Sequence, residues 1–308
     1  MSEKTIVKLA ASQLQREGGG FLVRRPIGSI IPSWDPFLML DHIGPVDYKP
    51  GEAQGAPDHP HRGFQTVTYV IDGGVKHHDS AGNTGILKSG WVQWMTAGSG
   101  IVHAEMPIDD IYVNGGRSEG FQLWVNLPKK YKMIPPSYSD VSPDSIPTID
   151  TGKVVVKVLA GEHDGHKSPV HTRIPILMLD IHLQQGSEFT LNIPEGHNAF
   201  AYVWRGKGYL GHEQKPAQMG NVALLSERGN KFLMTADNLQ DCHVLVCTGL
   251  PIKEPVVRHG PFVMSTNEEI QQAIRDYQNG KLGSINGKEE RINQTDRAAE
   301  VQKKNGTW

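Results

Sequence analysis

The fold is indicated most directly by residues 59–73, whose sequence is HPHRGFQTVTYVIDG. Two histidines one residue apart precede residues 66–71, a short run of β-branched, aromatic and aliphatic side chains. Asp72-Gly73-Gly74 then has the composition of a hairpin turn. Short apolar runs bounded by turn residues are typical of β-strands. The stretch therefore predicts a strand followed by a tight turn.

Runs of the same kind recur along the chain, and 34 glycines and 20 prolines separate them. The segment Tyr69-Val70-Ile71-Asp72-Gly73 resembles Tyr202-Val203-Trp204-Arg205-Gly206 in the second half. We therefore predict an all-β protein built from two copies of one barrel architecture. The other runs that support this prediction are residues 90–95, 121–125, 154–159 and 199–204.

A second polar pair, His103-Ala104-Glu105, follows the first about 40 residues later. Side chains at positions i and i+2 of a strand point to the same face. If the two strands face each other, His59, His61, His103 and Glu105 converge. Three nitrogens and one oxygen suit a divalent first-row transition metal and leave coordination positions for water or substrate. The alternative is that these are ordinary polar residues near turns, but two matched pairs favour a metal site.

The length of 308 residues indicates two domains. Prolines cluster between residues 127 and 149, and proline resists both helix and central strand. We predict an N-terminal metal-binding domain over 1–135, a linker over 136–148, a C-terminal domain over 149–285 and a polar tail over 286–308. Within the C-terminal region, Ser265-Thr266 caps a predicted helix over 268–277, which Gly280 ends.

Composition excludes several classes of protein. The formal net charge of -2 provides no general attraction to nucleic acid or to anionic membranes. The most basic segment, Lys129-Lys130-Tyr131-Lys132, is interpreted as a solvated turn. No apolar run approaches the roughly 20 residues of a membrane span, and the N-terminus lacks a secretory signal. Cys242 and Cys247 are expected to be buried and reduced, as in the cytoplasm. We predict a cytoplasmic location, or also a nuclear one in a eukaryote.

Long segments of the chain resemble the pirin family. The match runs almost end to end and leaves out only about the last 20 residues. The resemblance implies two tandem cupin barrels (double-stranded β-helix or jelly roll), with a short C-terminal helix, and one metal site in the N-terminal barrel. The segments that carry it are DPFLMLDH at 35–42, residues 59–69, HHDS at 77–80, residues 95–107, 120–128 and 254–264.

The same resemblance assigns the metal ligands to His59, His61, His103 and Glu105. It implies iron as Fe(II), although the ligand types alone also permit Mn, Ni, Co, Cu or Zn. Gln65 stands where many cupins have a carboxylate ligand, and we expect it beside the ligands.

Other histidines are assigned no metal. His77 and His78 could extend a metal pocket, but their position next to Asp79-Ser80 favours hydrogen-bonded side chains. The C-terminal domain is predicted to lack a metal site, because neither His171 nor His197 belongs to an i, i+2 ligand pair.

Two functions are compatible with this site. The first is a metal-dependent dioxygenase acting on quercetin-like flavonols or other enolic or phenolic small molecules, with Glu105 as the catalytic proton acceptor. The alternative is a non-enzymatic metal-sensing or redox-sensing regulatory protein, such as a transcription cofactor, with a transcription regulator or a metabolic enzyme as its partner. A metal-bearing structural protein without turnover is a third option. We expect a monomer that binds neither nucleic acid nor membrane.

Overall fold

The computed structural model describes residues 2–17 and 20–307, about half of which lie in antiparallel strands. Contacts divide the chain into two discontinuous units. We call residues 14–24, 40–143 and 253–308 the N-terminal unit, and residues 1–13, 25–39 and 144–252 the C-terminal unit. These units differ from the predicted contiguous domains, because strand pairing joins segments that are distant in sequence. Strand Ile6–Ala11, for example, pairs with Asn221–Leu225 in the C-terminal unit.

The N-terminal unit contains a four-stranded sheet, a two-stranded ribbon and most of a seven-stranded sheet, of which residues 25–27 and 37–39 are assigned to the C-terminal unit. The four-stranded sheet has the order Ala56–His61, Ile101–Pro107, Gly74–Asp79 and Thr84–Lys88. The seven-stranded sheet has the order Ser137–Val141, Val92–Thr96, Phe64–Asp72, Gly116–Asn126, Phe37–Tyr48, Phe21–Ile27 and Leu14–Glu17. The ribbon pairs Val257–His259 with Phe262–Met264. Short helices are α1, Asp109–Asn114, and a 3-10 turn, Lys129–Tyr131.

The C-terminal unit is built around a ten-stranded sheet. Its main path is Ile6–Ala11, Asn221–Leu225, Asn198–Leu210, Cys242–Gly249, Ile176–Leu183, Val154–Ala160 and Thr148–Asp150. Its other strands are Glu188–Asn192, Lys215–Gln218 and Lys231–Ala236, and a separate ribbon pairs Glu162–His163 with His166–Lys167. Alternate residues such as Leu179, Ile181, Val244 and Val246 are fully buried in one apolar cluster, as the two-residue period of a strand requires.

The predicted all-β architecture is confirmed, with one difference. Among the described strands the pairings leave sheets with free ends, so the predicted barrels are not closed.

The proline-rich region predicted as a linker over 136–148 contains regular structure. Strand Ser137–Val141 pairs with Val92–Thr96 at the edge of the seven-stranded sheet, and a 3-10 turn covers Pro143–Ser145. Proline is tolerated beside an edge strand because no ladder hydrogen bond is lost there. The proline cluster therefore marks an edge of the sheet.

The C-terminal residues form two helices in the N-terminal unit. Helix α2, Asn267–Gln278, begins at Thr266 with a capping box that includes Glu269, which confirms the predicted helix. Helix α3, Lys288–Asn305, occupies most of the predicted polar tail, whose last residue, Trp308, is outside the described residues. Gln302 is buried in α3, and its Nε2 donates to the main-chain oxygen of Glu52 at 2.8 Å. Hydrogen bonds of this kind attach α3 to the rest of the unit, since its apolar residues do not recur along one face.

Two further predictions concern cysteines and membranes. Cys242 and Cys247 are both buried free thiols, as expected. No helix among residues 2–17 and 20–307 has the length and apolar character needed to cross a bilayer.

Candidate metal centre

Two paired strands bring three of the predicted ligands together. Strand Ile101–Pro107 pairs antiparallel with Ala56–His61, and His103 lies directly opposite His59. The ring centroid of His59 is 4.3 Å from that of His103 and 4.8 Å from that of His61, while His61 and His103 are 4.9 Å apart. One ring nitrogen from each histidine lies within 4.8 Å of the other two. We call these three residues the histidine cluster.

The histidine cluster lies against apolar side chains. The ring of His61 contacts Phe64 and Trp124 at centroid distances of 5.0 and 5.2 Å, and both His61 and His103 are buried. Burial, and next the neighbouring imidazole of His59, lower the pKa of His61 and of His103 well below the usual range. Both imidazoles are therefore neutral at physiological pH, which is the state in which histidine binds a metal.

The hydrogen-bonding state of the rings fits a cation. Nδ1 of His59 donates to the carbonyl oxygen of Pro57 at 2.8 Å, which leaves Nε2 of His59 with its lone pair available. Nδ1 of His61 and both ring nitrogens of His103 are buried without a hydrogen-bond partner among the described residues. Buried polar atoms are normally satisfied. A divalent transition metal bound by the histidine cluster would satisfy one nitrogen of each ring.

Glu105 is not part of this group. Its Oε1 accepts a hydrogen bond from Oγ1 of Thr68 and its Oε2 accepts one from Nε2 of Gln122, both at 2.9 Å. The pairing of Ile101–Pro107 with Ala56–His61 shifts register between His103 and Glu105. The extra residue lies in Ala56–His61, where positions 56–59 face positions 103–105, and the pairing of Ile101–Pro107 with Gly74–Asp79 stays regular. The two hydrogen bonds hold the Glu105 carboxylate. Glu105 as a metal ligand therefore remains a prediction, and it lies beside the cluster as a hydrogen-bonded carboxylate.

Thr68 and Gln122, which hold Glu105, were not singled out from the sequence as functional. They are cross-strand partners in the seven-stranded sheet. Because they are 54 positions apart, only the strand register reveals that they act on one carboxylate. Gln65 donates from Nε2 to Oγ1 of Thr96 at 2.8 Å, and its position beside the ligands stays a prediction.

The interpretation of His77 as a hydrogen-bonded histidine is wrong. Both of its ring nitrogens are buried without a hydrogen-bond partner among the described residues, and Nε2 lies 3.7 Å from Oδ2 of Asp79. Its ring centroid is 5.3 Å from that of His103, and His77 pairs with Glu105 across the sheet. Burial lowers the pKa of His77, and the charge of Glu105 opposes this effect. His77 thus lies beside the histidine cluster as a neutral imidazole.

The turn at Gly63, just after the strand that carries His59 and His61, is fixed by close contacts with buried residues. Gly63 has φ of 88°, and a Cβ there would lie 1.9 Å from the main-chain oxygen of Val263, so only glycine fits. Lys132 donates from Nζ to the main-chain oxygens of Gly63 and Val263 and to Oδ1 of Asn126. Burial lowers the pKa of Lys132 to about 8. The predicted solvated turn at 129–132 is therefore wrong for Lys132, which is buried.

Helix α3 also contacts the ligand strand. Nε and Nη2 of Arg291 donate to Oδ1 and Oδ2 of Asp58 at 2.6 and 3.0 Å, and both side chains are largely buried. Asp58 directly precedes His59. This bidentate pair, which is a strong form of ion pair, therefore ties α3 to the strand that carries two of the clustered histidines.

A second group with metal-ligand chemistry lies in the C-terminal unit. His182, Asp241 and His243 each offer one ligand atom within 4.8 Å of the others. From the sequence, only His171 and His197 were considered as possible ligands in this unit. Asp241-Cys242-His243 is itself an i, i+2 pair, and that spacing is the signal that could have found the group.

The fold and the histidine cluster define the class of two-domain cupins. A model of the Pirin family matches residues 20–125, and the Pirin C-terminal cupin domain model matches residues 178–283. The chain therefore belongs to the pirin family, which confirms the resemblance found in the sequence.

Named relatives agree with this assignment. The chain is 43% identical over 281 residues to a pirin-like protein of Solanum lycopersicum, covering 91% of this chain and 93% of that one. It is 42% identical over 286 residues to Pirin of Homo sapiens, covering 92% and 95%. A solved quercetin 2,3-dioxygenase from Acinetobacter baumannii matches with a TM-score of 0.87 and 38% identity, covering 92% of this chain and 100% of that one.

Proposed function

We propose that this chain is a metal-dependent cupin dioxygenase whose substrates are quercetin-like flavonols or other enolic or phenolic molecules. The observation that carries the proposal is the histidine cluster, in which His61 and His103 are buried with ring nitrogens that lack hydrogen-bond partners among the described residues. The likeness to a solved quercetin 2,3-dioxygenase supports the reaction class. Iron(II) is the metal that we expect.

Each residue has a role in this proposal. His59, His61 and His103 would hold the ion as neutral imidazoles. A bound iron(II) ion would supply Lewis acidity and redox chemistry with O2. Glu105, oriented by Thr68 and Gln122, accepts the proton of the substrate hydroxyl and so makes the substrate electron-rich.

Aromatic side chains pack on one side of the histidine cluster. Phe64 and Trp124 lie beside His61 and exclude water on that side. Water exclusion strengthens electrostatic interactions inside a site.

The direct test is oxygen consumption by the iron-loaded protein. The protein is loaded anaerobically, mixed with quercetin and then exposed to O2. Oxygen uptake matched by loss of quercetin absorbance supports the proposal. A protein that binds iron at the histidine cluster but consumes no oxygen with quercetin or simpler enols contradicts it and favours the metal-sensing alternative.

The role of Glu105 leads to a separate prediction. The Glu105→Gln variant should still bind iron, because three imidazoles remain. Its kcat for quercetin should fall by about 10²–10⁴-fold, the typical contribution of a proton-transfer group. The matched control is Glu188→Gln, at an exposed acid of the C-terminal unit, which should keep full activity. Wild-type kcat in Glu105→Gln would remove this carboxylate from the mechanism.

Helix α3 leads to a prediction about metal retention. Arg291→Ala leaves Asp58 buried and unpaired beside His59, so the ligand strand should become less well ordered. We expect iron to dissociate roughly ten-fold faster, as is typical when residues that support ligands are lost. The measurement is iron transfer to a chelator, and the control is Arg297→Ala on the exposed side of the same helix. Equal transfer rates in the two variants would show that the Asp58–Arg291 pair does not support the centre.

A further inference from the structure

The C-terminal unit contains two histidines in direct register. Strands Ile176–Leu183 and Cys242–Gly249 pair antiparallel, with His182 opposite His243. The two imidazole rings stack at a centroid distance of 4.1 Å with an interplanar angle of 4°. Asp241 precedes the second strand, and its Oδ2 accepts a hydrogen bond from Nε2 of His182 at 2.8 Å.

The three side chains lie on the face of the sheet opposite the apolar core. Ile181, Leu183 and Val244, which alternate with the two histidines, are fully buried in the core of the C-terminal unit. Because successive side chains of a strand point to opposite faces, His182 and His243 point away from that core. Partial exposure of the group leaves it accessible to water and ions.

We propose that His182, Asp241 and His243 form a second metal site, which binds a divalent first-row transition ion such as Zn²⁺. Two imidazole nitrogens and one carboxylate oxygen are a common protein donor set for this class of ion, with a water molecule completing the coordination. The site is independent of the proposed dioxygenase function.

The three donor atoms lie within 4.8 Å of one another. Because an imidazole binds an ion in the plane of its ring, the parallel rings of His182 and His243 must tilt toward each other to share one. The 2.8 Å between His182 Nε2 and Asp241 Oδ2 is a hydrogen-bond distance, and it would have to widen to about 3.4 Å for both atoms to bind one tetrahedral zinc ion at roughly 2.0–2.2 Å. The ion would replace the proton that now lies between these atoms, and that proton would be released to solvent.

A backbone contact orients the carboxylate. The main-chain N–H of Gln185 donates to Oδ1 of Asp241 at 2.9 Å, which leaves Oδ2 directed toward His182. Hydrogen bonds of this kind, made by atoms that do not touch the ion, fix ligands in metal sites. The ring of Trp204 lies 4.7 Å from that of His243 and supports it from a neighbouring strand.

The alternative is a purely structural arrangement, in which a His–Asp hydrogen bond and two stacked rings stabilise the sheet surface. Zinc binding separates the two possibilities. Full-length, metal-free protein is titrated with Zn²⁺ by calorimetry, and bound zinc is then measured by elemental analysis after desalting. The variants are His103→Ala, His243→Ala, the double variant and the control His212→Ala, whose side chain is 60% exposed.

If the proposal is correct, His103→Ala retains about one zinc equivalent, and the double variant loses it. Zinc should also raise the Tm of His103→Ala and leave the Tm of the double variant unchanged, because only a folded site binds the ion. His212→Ala should match the wild type. The proposal is overturned if His103→Ala binds no zinc, or if adding His243→Ala leaves its zinc content unchanged. If His243→Ala does not fold, Asp241→Asn, which keeps the side-chain shape, takes its place with the same expected loss.

Discussion

Replacing His103 by alanine is expected to abolish iron retention at the histidine cluster and to lower quercetin turnover at least about a hundred-fold. His103 is buried and its ring lies within 5 Å of both other clustered rings, at 4.3 and 4.9 Å. Loss of a residue that only supports a ligand typically costs 10–100-fold in metal affinity or activity, so loss of a ligand should cost more. Iron content and oxygen consumption measure the two effects.

The matched control is His166→Ala, at an exposed histidine of the C-terminal unit. It should retain iron and activity. Far-UV circular dichroism checks that His103→Ala is folded. We expect it to fold, because only one side chain of the N-terminal unit is shortened. Retention of wild-type iron content and turnover in a folded His103→Ala protein would contradict the proposed centre.

Replacing Asp276 by asparagine is expected to lower the free energy of unfolding by about 3 kcal/mol at neutral pH. Oδ2 of Asp276 accepts from Nη1 of Arg62 at 2.8 Å and Oδ1 accepts from Nζ of Lys281 at 2.9 Å. The Arg62 side chain is only 6% exposed, and removing one partner of a buried ion pair leaves the other charge uncompensated, at a typical cost of 3–5 kcal/mol. Denaturant unfolding measures the difference. The control is Asp296→Asn, at an exposed position of α3, which should change stability by less than about 0.5 kcal/mol.

The Asp276 carboxylate also makes the free energy of unfolding depend on pH. Hydrogen bonds from Lys281 and then Arg62 hold the pKa of Asp276 well below its usual range. A lowered pKa in the folded state stabilises the protein at pH values above the unfolded-state pKa, near 3.9. This contribution is lost as the pH falls below that value. The stability difference between the wild type and Asp276→Asn should therefore be constant from pH 5 to 7 and shrink below about pH 4. A difference that stays constant down to pH 2 would contradict the ion-pair account.

The strands and the histidine cluster could be predicted from sequence because both depend on the two-residue period of a strand. His59 and His61 share one strand, and the turn residues around them indicate its ends. Helix α2 was predictable for a similarly local reason, since Thr266 and Glu269 form its capping box.

The features that could not be predicted from the sequence depend on the register between distant strands or on contacts between polar side chains. The position of Glu105 depends on hydrogen bonds from Thr68 and Gln122, which lie on other strands, so no local pattern shows it. Helix α3 is attached through hydrogen bonds of Arg291 and Gln302. A helix that packs through polar side chains lacks the periodic apolar residues from which a packed helix is predicted. The juxtaposition of His182 with Asp241 joins positions 59 residues apart, so it appears only once the two strands are paired.

The central claim is that His59, His61 and His103 bind one metal ion. Anomalous diffraction at the iron absorption edge, from crystals of the iron-loaded protein, tests it most directly. The account predicts an anomalous peak bonded to one ring nitrogen of each of these three histidines, at roughly 2.0–2.2 Å. Stoichiometric iron in the crystals with no anomalous peak at these three rings would contradict it.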